Sequence, residues 1–301
     1  MDVKVVTYNV DGLPETLDLN DLPWPLKPIA WIYKLVRGTT VIRVNDGGDK
    51  TENTLKISEK LSTLNADIIG VQEDFNYHNE LLSSLSTYNT DDCLGKVSFS
   101  NVSWGIPPRI DADGVGFLTK GIINDRDIVK WNKSNGYITH ANDKLVKKGF
   151  RFYSITLNGV DLDVYNLHMD ADFYSPDTYS DIAGDIKARK SQLKQLVKYI
   201  TKRYEAGYTN PIIILGDTNS NPYFCFSEKN IQEYLLEAIN KLPGMVIDEA
   251  ESTSRVDVDR IFYINNVLSP YIIRCKEAHY EDWDMSDHKP FVATLEVLAN
   301  G

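Results

Sequence analysis

Ile212, Ile213, Ile214 and Leu215 run without interruption into Gly216, Asp217, Thr218 and Asn219 and then Asn221-Pro222, and no other stretch restricts the fold as much. A short β-branched apolar run closed by Gly and Pro predicts a strand buried on both faces, so whatever follows its carboxyl end lies on the edge of a layer. Asp217 and Asn219 share one side if extended geometry continues past the glycine. A carboxylate beside an amide suits holding a hard cation and orienting a water or a phosphoryl oxygen. The same residues also suit an Asx turn, where Gly, Asp, Asn and Pro are favoured for backbone reasons alone. From this stretch by itself, turn and active site weigh about equally.

The 301 residues are expected to form a single α/β domain over 1–301, since layered proteins of this size are often undivided. A formal net charge of -11 opposes phosphate backbones at long range and weighs mildly against a processive nucleic-acid binder. Cys93, Cys225 and Cys275 lie far apart without a zinc-like spacing, and an odd count implies no disulfide framework. No apolar run is long enough to span a bilayer, and a monomer is expected. Strand-like residues 3–8 begin almost at once, which also fits an export signal already removed. Cytoplasmic and exported locations both stay open.

Apolar strand-like runs at 115–119, 150–157, 162–167, 260–264 and 291–297 accompany two helical patterns. Leu55, Ile57, Leu61 and Leu64 mark the first, with Thr51 and Asn53 as candidate N-caps. Ile186, Leu193, Leu196, Val197, Ile200 and Tyr204 mark the second, ending near Gly207. So many strands against so few helices predict two packed sheets with helices outside. Two segments break this regularity. Residues 11–50, rich in Pro and aromatics, read as a surface excursion with a short helix packed on the core, ahead of a lipid- or substrate-facing lobe. Residues 169–184 form an acidic loop whose carboxylates, with Asp185, suggest solvated side chains ahead of a second metal site.

Chemistry collects at the strand ends. Tyr8-Asn9-Val10, Val71-Gln72-Glu73, Asn166-Leu167-His168, the Gly216 to Asn219 tetrad, Asp259 to Tyr263 and Ser286 to Pro290 each put a ligand, an acid or base, or an amide at a strand terminus. One such residue is ordinary turn chemistry. Six in this order are not.

This series resembles the endonuclease/exonuclease/phosphatase superfamily, and the resemblance runs from Asn9 to His288. It implies a four-layered α/β (α+β) sandwich, two mixed β-sheets face to face with helices outside and the site at one edge. It further implies a phosphoester hydrolase using Mg²⁺, with Mn²⁺ or Ca²⁺ as substitutes. Asn9 and Glu73 resemble the metal ligands, with Asp287 completing the metal side. His168 resembles the histidine that contacts a phosphate oxygen or protonates the leaving group. Asp217 matches the acid that orients or deprotonates water, Asn219 the amide that steadies the phosphate or that acid, and His288 the histidine held by Asp259. The base is assigned jointly to Asp217 and His288. His78, His140 and His279 match no motif, and Arg189 is expected to pair with an acid.

Three substrate classes stay open: lipid phosphodiesters such as sphingomyelin, inositol phosphates and nucleic acids. The HMDAD run after His168's strand and the aromatic lobe lean towards a sphingomyelinase-like or other small or lipid phosphoester. Ser220-Asn221-Pro222 departs from the 5-phosphatase pattern, and a nuclease groove would draw on Lys144, Lys147 and Lys148. An inactive binding module on the same fold would be marked by loss of Glu73, His168, Asp217 or His288, and all four are present.

Overall fold

The computed structural model describes residues 1–43, 48–91, 93, 97–103, 109–136, 143, 146–171, 179–220, 229–253 and 257–300. In chain order the strands are β1 (Asp2–Asn9), β2 (Thr16–Asp18), β3 (Val41–Arg43), β4 (Ile68–Gln72), β5 (Asn89–Thr90), β6 (Val102–Ser103), β7 (Arg109–Ile110) and β8 (Gly116–Thr119). They continue with β9 (Ile122–Lys130), β10 (Gly149–Leu157), β11 (Val160–His168), β12 (Ile212–Asp217), β13 (Met245–Glu249), β14 (Asp259–Asn266), β15 (Tyr271–Tyr280) and β16 (Phe291–Ala299). The helices are α1 (Lys27–Arg37), α2 (Thr51–Leu64), α3 (His78–Leu82), α4 (Tyr179–Glu205) and α5 (Lys229–Asn240).

Two six-stranded mixed sheets carry the molecule, ordered β15-β16-β1-β4-β8-β5 and β13-β14-β12-β11-β10-β9. Val5, Ile68 and Phe117 of one sheet meet Val164, Ile213, Leu215 and Ile261 of the other in a shared core. Helices α2 and α3 cover the outer face of the first sheet through Ile57, Leu61 and Leu81. Helices α4 and α5 cover the second through Leu193, Leu196, Leu235 and Ile239. The four expected layers are present.

Each sheet contains one parallel pair at its centre, and the carboxyl ends of both pairs share one edge. Asn9 lies opposite Gln72 where β1 runs beside β4, and His168 lies opposite Asp217 where β11 runs beside β12. An amide bridge locks the two ends together: Gln72 Nε2 donates to Asn166 Oδ1 at 2.7 Å, and Asn166 Nδ2 donates to the Gly116 carbonyl at 2.7 Å. Gly70 is required beneath it, because a Cβ there would sit 2.4 Å from Leu215 and 2.8 Å from Asn166. The motif amides Gln72 and Asn166 thus hold the sheets in register.

Several expectations shift in detail. Thr51 lies inside α2; the residue that satisfies the helix start is Asp49, whose Oδ1 accepts from the Thr51 N–H at 2.9 Å and its hydroxyl at 2.7 Å. Asn53 reaches instead to the Met285 carbonyl, tying α2 to the Ser286 loop. Strands β9, β13 and β15 and helix α5 had no clear sequence signal. Edge strand β9 carries exposed Asp125, Arg126 and Asp127, a charged pattern that hides it as a strand while discouraging edge-to-edge pairing.

Between β1 and α2 a small lobe pairs β2 with β3 and adds α1. Leu17, Leu19, Leu22 and Ala30 anchor it on Phe75, Phe99 and Ile110.

Candidate active site

The last residue of β12 gathers the site around itself. Gly216, at φ +144°, has the Leu167 carbonyl only 2.0 Å from where a Cβ would stand, so only glycine lets the chain swing out there. Extended geometry does not continue past it. Asn219 adopts φ +49°, and its N–H donates to Asp217 Oδ1 at 2.8 Å, which is the Asx turn. The turn divides the carboxylate, with Oδ1 held by the backbone and Oδ2 facing the cleft. Asn219 Nδ2 donates to the Met169 carbonyl at 2.9 Å, fixing the following loop.

Three other groups converge on Asp217 Oδ2. Asn9 Nδ2 donates to it at 3.1 Å, His168 Nε2 lies at 3.5 Å and His288 Nε2 at 3.8 Å. These side chains come from β1, β11 and the loop before β16, so the arrangement exists only when both sheets are paired. His288 is oriented from behind by Asp259 Oδ2, 2.7 Å from its Nδ1. Asp259 lies opposite Asp217 across the β12–β14 ladder, and Asp257 does not fill that position. Ser286 donates its hydroxyl to the Asn9 carbonyl at 2.8 Å and accepts from the His288 N–H at 3.2 Å, which ties the final loop to the first strand.

Glu73 follows β4 at φ +60°, a conformation that a non-glycine residue holds only where its surroundings impose it. Gly12 lies against its carbonyl oxygen, where a Cβ would come within 2.6 Å. The Glu73 carboxylate stands 4.0 Å from His168 Nε2 and is only partly buried. The Asp287 carboxylate is exposed, and its Oδ1 accepts from the Ser286 hydroxyl at 3.3 Å.

Electrostatics separates the two histidines. Burial, with the nearby cations Lys148 and His288, pushes His168 well below the usual histidine range, so it is neutral. Its Nδ1 is buried without a hydrogen-bond partner, leaving Nε2 to face the carboxylates. For His288, burial opposes charging, but the carboxylates of Asp259 and Asp217 prevail and push it up to about 11. Burial raises Asp259 as well, so this pair shares a proton that the second carboxylate draws towards the imidazole. Burial likewise raises Glu73, against the pull of Lys148.

Lys148 is the residue that sequence reasoning misplaced. Rather than lining a groove it is buried, with Nζ 2.5 Å from Asp143 Oδ1, and its charge reaches Glu73 and Asp217. Asp143 in turn accepts from the Ala171 N–H at 2.9 Å. Nothing local marks this pair, because Asp143 itself sits in a turn and a lysine's burial is set by the tertiary fold. Lys147 lies 3.5 Å from Asp111, and Lys144 lies outside the described residues.

The acidic loop gives no open carboxylate cluster among the described residues. Asp170 is buried and accepts from Gln192 Nε2 at 2.6 Å, and Asp185 accepts from Asn135 Nδ2 at 2.7 Å. Asp172 and Asp177 lie outside the described residues. Arg189 is fully buried and donates to the Asp170 carbonyl at 2.8 Å. His78 is 2.5 Å from Asp74, His279 is 3.2 Å from Glu281, and His140 lies outside the described residues.

Among the described residues, the donor atoms of Asp74, His78 and Cys93 lie within 4.8 Å of one another, away from the Asp217 cleft, and so do those of Asp217, Asp259 and His288. In the second group the Asp259 carboxylate is already taken by His288 Nδ1 at 2.7 Å. The Glu73 carboxylate and the side-chain amide oxygen Oδ1 of Asn9 are better suited to a cation, because a hard divalent ion takes oxygen donors and keeps several waters. Asn9 Oδ1 accepts only the Asp11 N–H, at 3.0 Å, and retains a lone pair for it.

The chain shares its fold with solved structures, among them an endonuclease/exonuclease/phosphatase from Bacteroides vulgatus, at TM-score 0.58 and 13% identity over 99% of this chain and 100% of that one. Sphingomyelinase C from Streptomyces griseocarneus matches the chain at TM-score 0.61 and 16% identity, over 98% of this chain and 99% of that one. A beta toxin mutant from Staphylococcus aureus with bound magnesium ions matches at 0.59 and 18%, over 97% and 99%. D. rerio TDP2 in complex with a single-strand DNA product matches at 0.58 and 12%, over 98% and 99%. No family model and no curated protein sequence matches the chain.

Proposed function

We propose that the chain is a Mg²⁺-dependent phosphoester hydrolase acting on a lipid or small-molecule phosphodiester, in the manner of a sphingomyelinase. The observation that carries this reading is the convergence on Asp217 Oδ2 of an amide and two imidazoles, with a second carboxylate, Glu73, beside them. Glu73 and Asn9 would hold the cation, and Mn²⁺ or Ca²⁺ would occupy the same oxygen donors. Bound there, the ion supplies polarisation of a phosphoryl oxygen and offsets developing negative charge.

The chain's own groups then divide the work. Asp217 Oδ2 orients the attacking water and takes up its proton, since of the two candidate bases His288 already carries one. His288 donates from Nε2 to a phosphate oxygen, and Asp259 keeps its ring in that orientation. His168, neutral and buried, donates a hydrogen bond from Nε2 without adding a charge that would compete with the ion. Asp287, exposed beside His288, contributes to the metal side only through water.

A lipid or small-molecule ester is favoured over a nucleic acid because Lys147 and Lys148 are already engaged by Asp111 and Asp143. The fold shared with the DNA-bound D. rerio TDP2 supports a nuclease as the second reading. Purified protein is tested on bis-p-nitrophenyl phosphate, sphingomyelin, phosphoinositides, inositol phosphates and plasmid DNA, with Mg²⁺ and with chelator. Turnover of a lipid or small ester that chelator abolishes and Mg²⁺ restores is expected. Preferential cleavage of DNA would overturn the substrate assignment, and turnover indifferent to chelator would overturn the mechanism.

A further inference from the structure

Helix α1 is oriented against the ordinary rule of burial. Ala30 is its one buried residue, and Leu26 and Tyr33, half-buried or nearly so, complete a narrow inward stripe on Leu17, Leu19 and Leu22. The rest faces outward, with Trp31 65% and Val36 74% exposed and Ile29, Ile32 and Leu35 beside them. At 3.6 residues per turn these side chains and Pro28 fill an outward arc of about 160° without a polar residue. Trp24, 84% exposed, precedes the helix and extends the patch. Such a contiguous apolar face is exceptional on a water-exposed surface and marks an interaction site.

Charge identifies the partner. The chain as a whole carries -11, yet α1 has no acidic residue; Lys27 and Lys34 lie along the Trp31 edge of the apolar arc, and Arg37 stands in the last turn on the opposite side. Two exposed tryptophans, an aliphatic ridge and lysines along its edge are the composition of a helix that lies in the lipid–water interface. The lobe also leaves from the site itself. It starts just after Asn9, Gly12 packs on the Glu73 carbonyl, Asp11 pairs with Lys50 at the lobe's return, and Phe75, two residues past Glu73, forms its floor.

We propose that α1 and Trp24 form a docking face for a phospholipid bilayer surface, seating the protein beside its substrate. The inference deepens the lipid reading of the site and rests on it for its purpose, but binding and hydrolysis are separable. Gly38, in the left-handed conformation at φ +74° with its N–H on the Lys34 carbonyl at 2.8 Å, ends the helix before β3, so the face is a compact, preformed unit.

The test uses the full chain with vesicles of phosphatidylcholine and of phosphatidylcholine with one quarter phosphatidylglycerol. Flotation and a blue shift of tryptophan fluorescence report binding, and sedimentation reports self-association. The wild type is expected to float, more strongly on the anionic vesicles, and Trp31→Glu combined with Val36→Glu to lower partitioning by at least about tenfold. That variant should turn over bis-p-nitrophenyl phosphate as the wild type does. Asp217→Asn should float undiminished, so a failed hydrolase reading shows as absent turnover with intact flotation. A wild type that does not float, a double variant that floats equally well, or a dimer lost in the variant while neither protein binds vesicles would each overturn the docking face.

Discussion

The strand-end site and the α1 lobe depart from the ordinary partition of residues in opposite directions. In the first, Asp217, Asp259, His168 and Lys148 are charged or polar and buried; in the second, Trp24, Trp31, Leu35 and Val36 are apolar and exposed. Burying ionisable groups costs stability unless each finds a partner, and exposing apolar ones forgoes the gain from burial. Both costs persist where the group's task requires its placement, so the two regions are where function is to be sought. They also differ in rigidity of definition. The site is tied by hydrogen bonds from both sheets, whereas α1 rests on a single stripe.

The largest expected stability effect breaks the buried half of this contrast. Lys148→Met leaves Asp143 buried without its cation and is expected to destabilise the fold by about 3–5 kcal/mol in urea unfolding. Adding Asp143→Asn should recover part of that loss, and a double variant as unstable as the single one would show that the pair is not the cause.

The ion pair behind the site gives a sign that pH can check. His288 is raised above its free value of 6.5 to about 11, so its charged form is stabilised in the fold. In chelated protein its contribution is fully present below 6.5 and is lost as pH rises through about 11. The melting-temperature gap between wild type and His288→Gln is therefore expected to be wide at acidic pH and to narrow on going alkaline. A gap that widens with pH would reverse the assignment.

A smaller change probes the bridge between the sheets. Asn166→Leu leaves the Gln72 amide and the Gly116 carbonyl without their partner and should cost about 1–3 kcal/mol in thermal or denaturant unfolding. On the exposed side, Ile32→Ser should shift stability by less than about 0.5 kcal/mol, because the side chain is 55% exposed and lies outside the buried clusters. A larger loss there would mean that α1 packs more deeply than its exposure indicates.

Much of this contrast was legible in the chain, though unevenly. The apolar run into Gly216 fixed β12 and its edge, and the ordered series of strand ends pointed to Asn9, Glu73, His168, Asp259 and His288, which the fold brings together. The exposed position of Asp287 was not legible, because adjacency to His288 says nothing about which side of a turn a carboxylate takes. Lys148 was unreadable as a site residue since its partner, Asp143, lies outside any regular element, and burial of a lysine is a tertiary event. Strand β9 escaped because an edge strand protected by charges lacks the alternation that marks a half-buried one. Residues 11–50 read as a surface excursion with a short helix packed on the core, ahead of a lipid- or substrate-facing lobe; composition gives aromatic content but not the direction a helix faces.

Everything proposed for the site depends on Asp217 Oδ2 acting as the acceptor around which the others are set. Turnover of bis-p-nitrophenyl phosphate by Asp217→Asn at saturating Mg²⁺, compared with wild type of equal melting temperature, tests this most directly. A loss of about a thousandfold is expected, consistent with removal of a positioned proton acceptor. Activity within tenfold of wild type would contradict it.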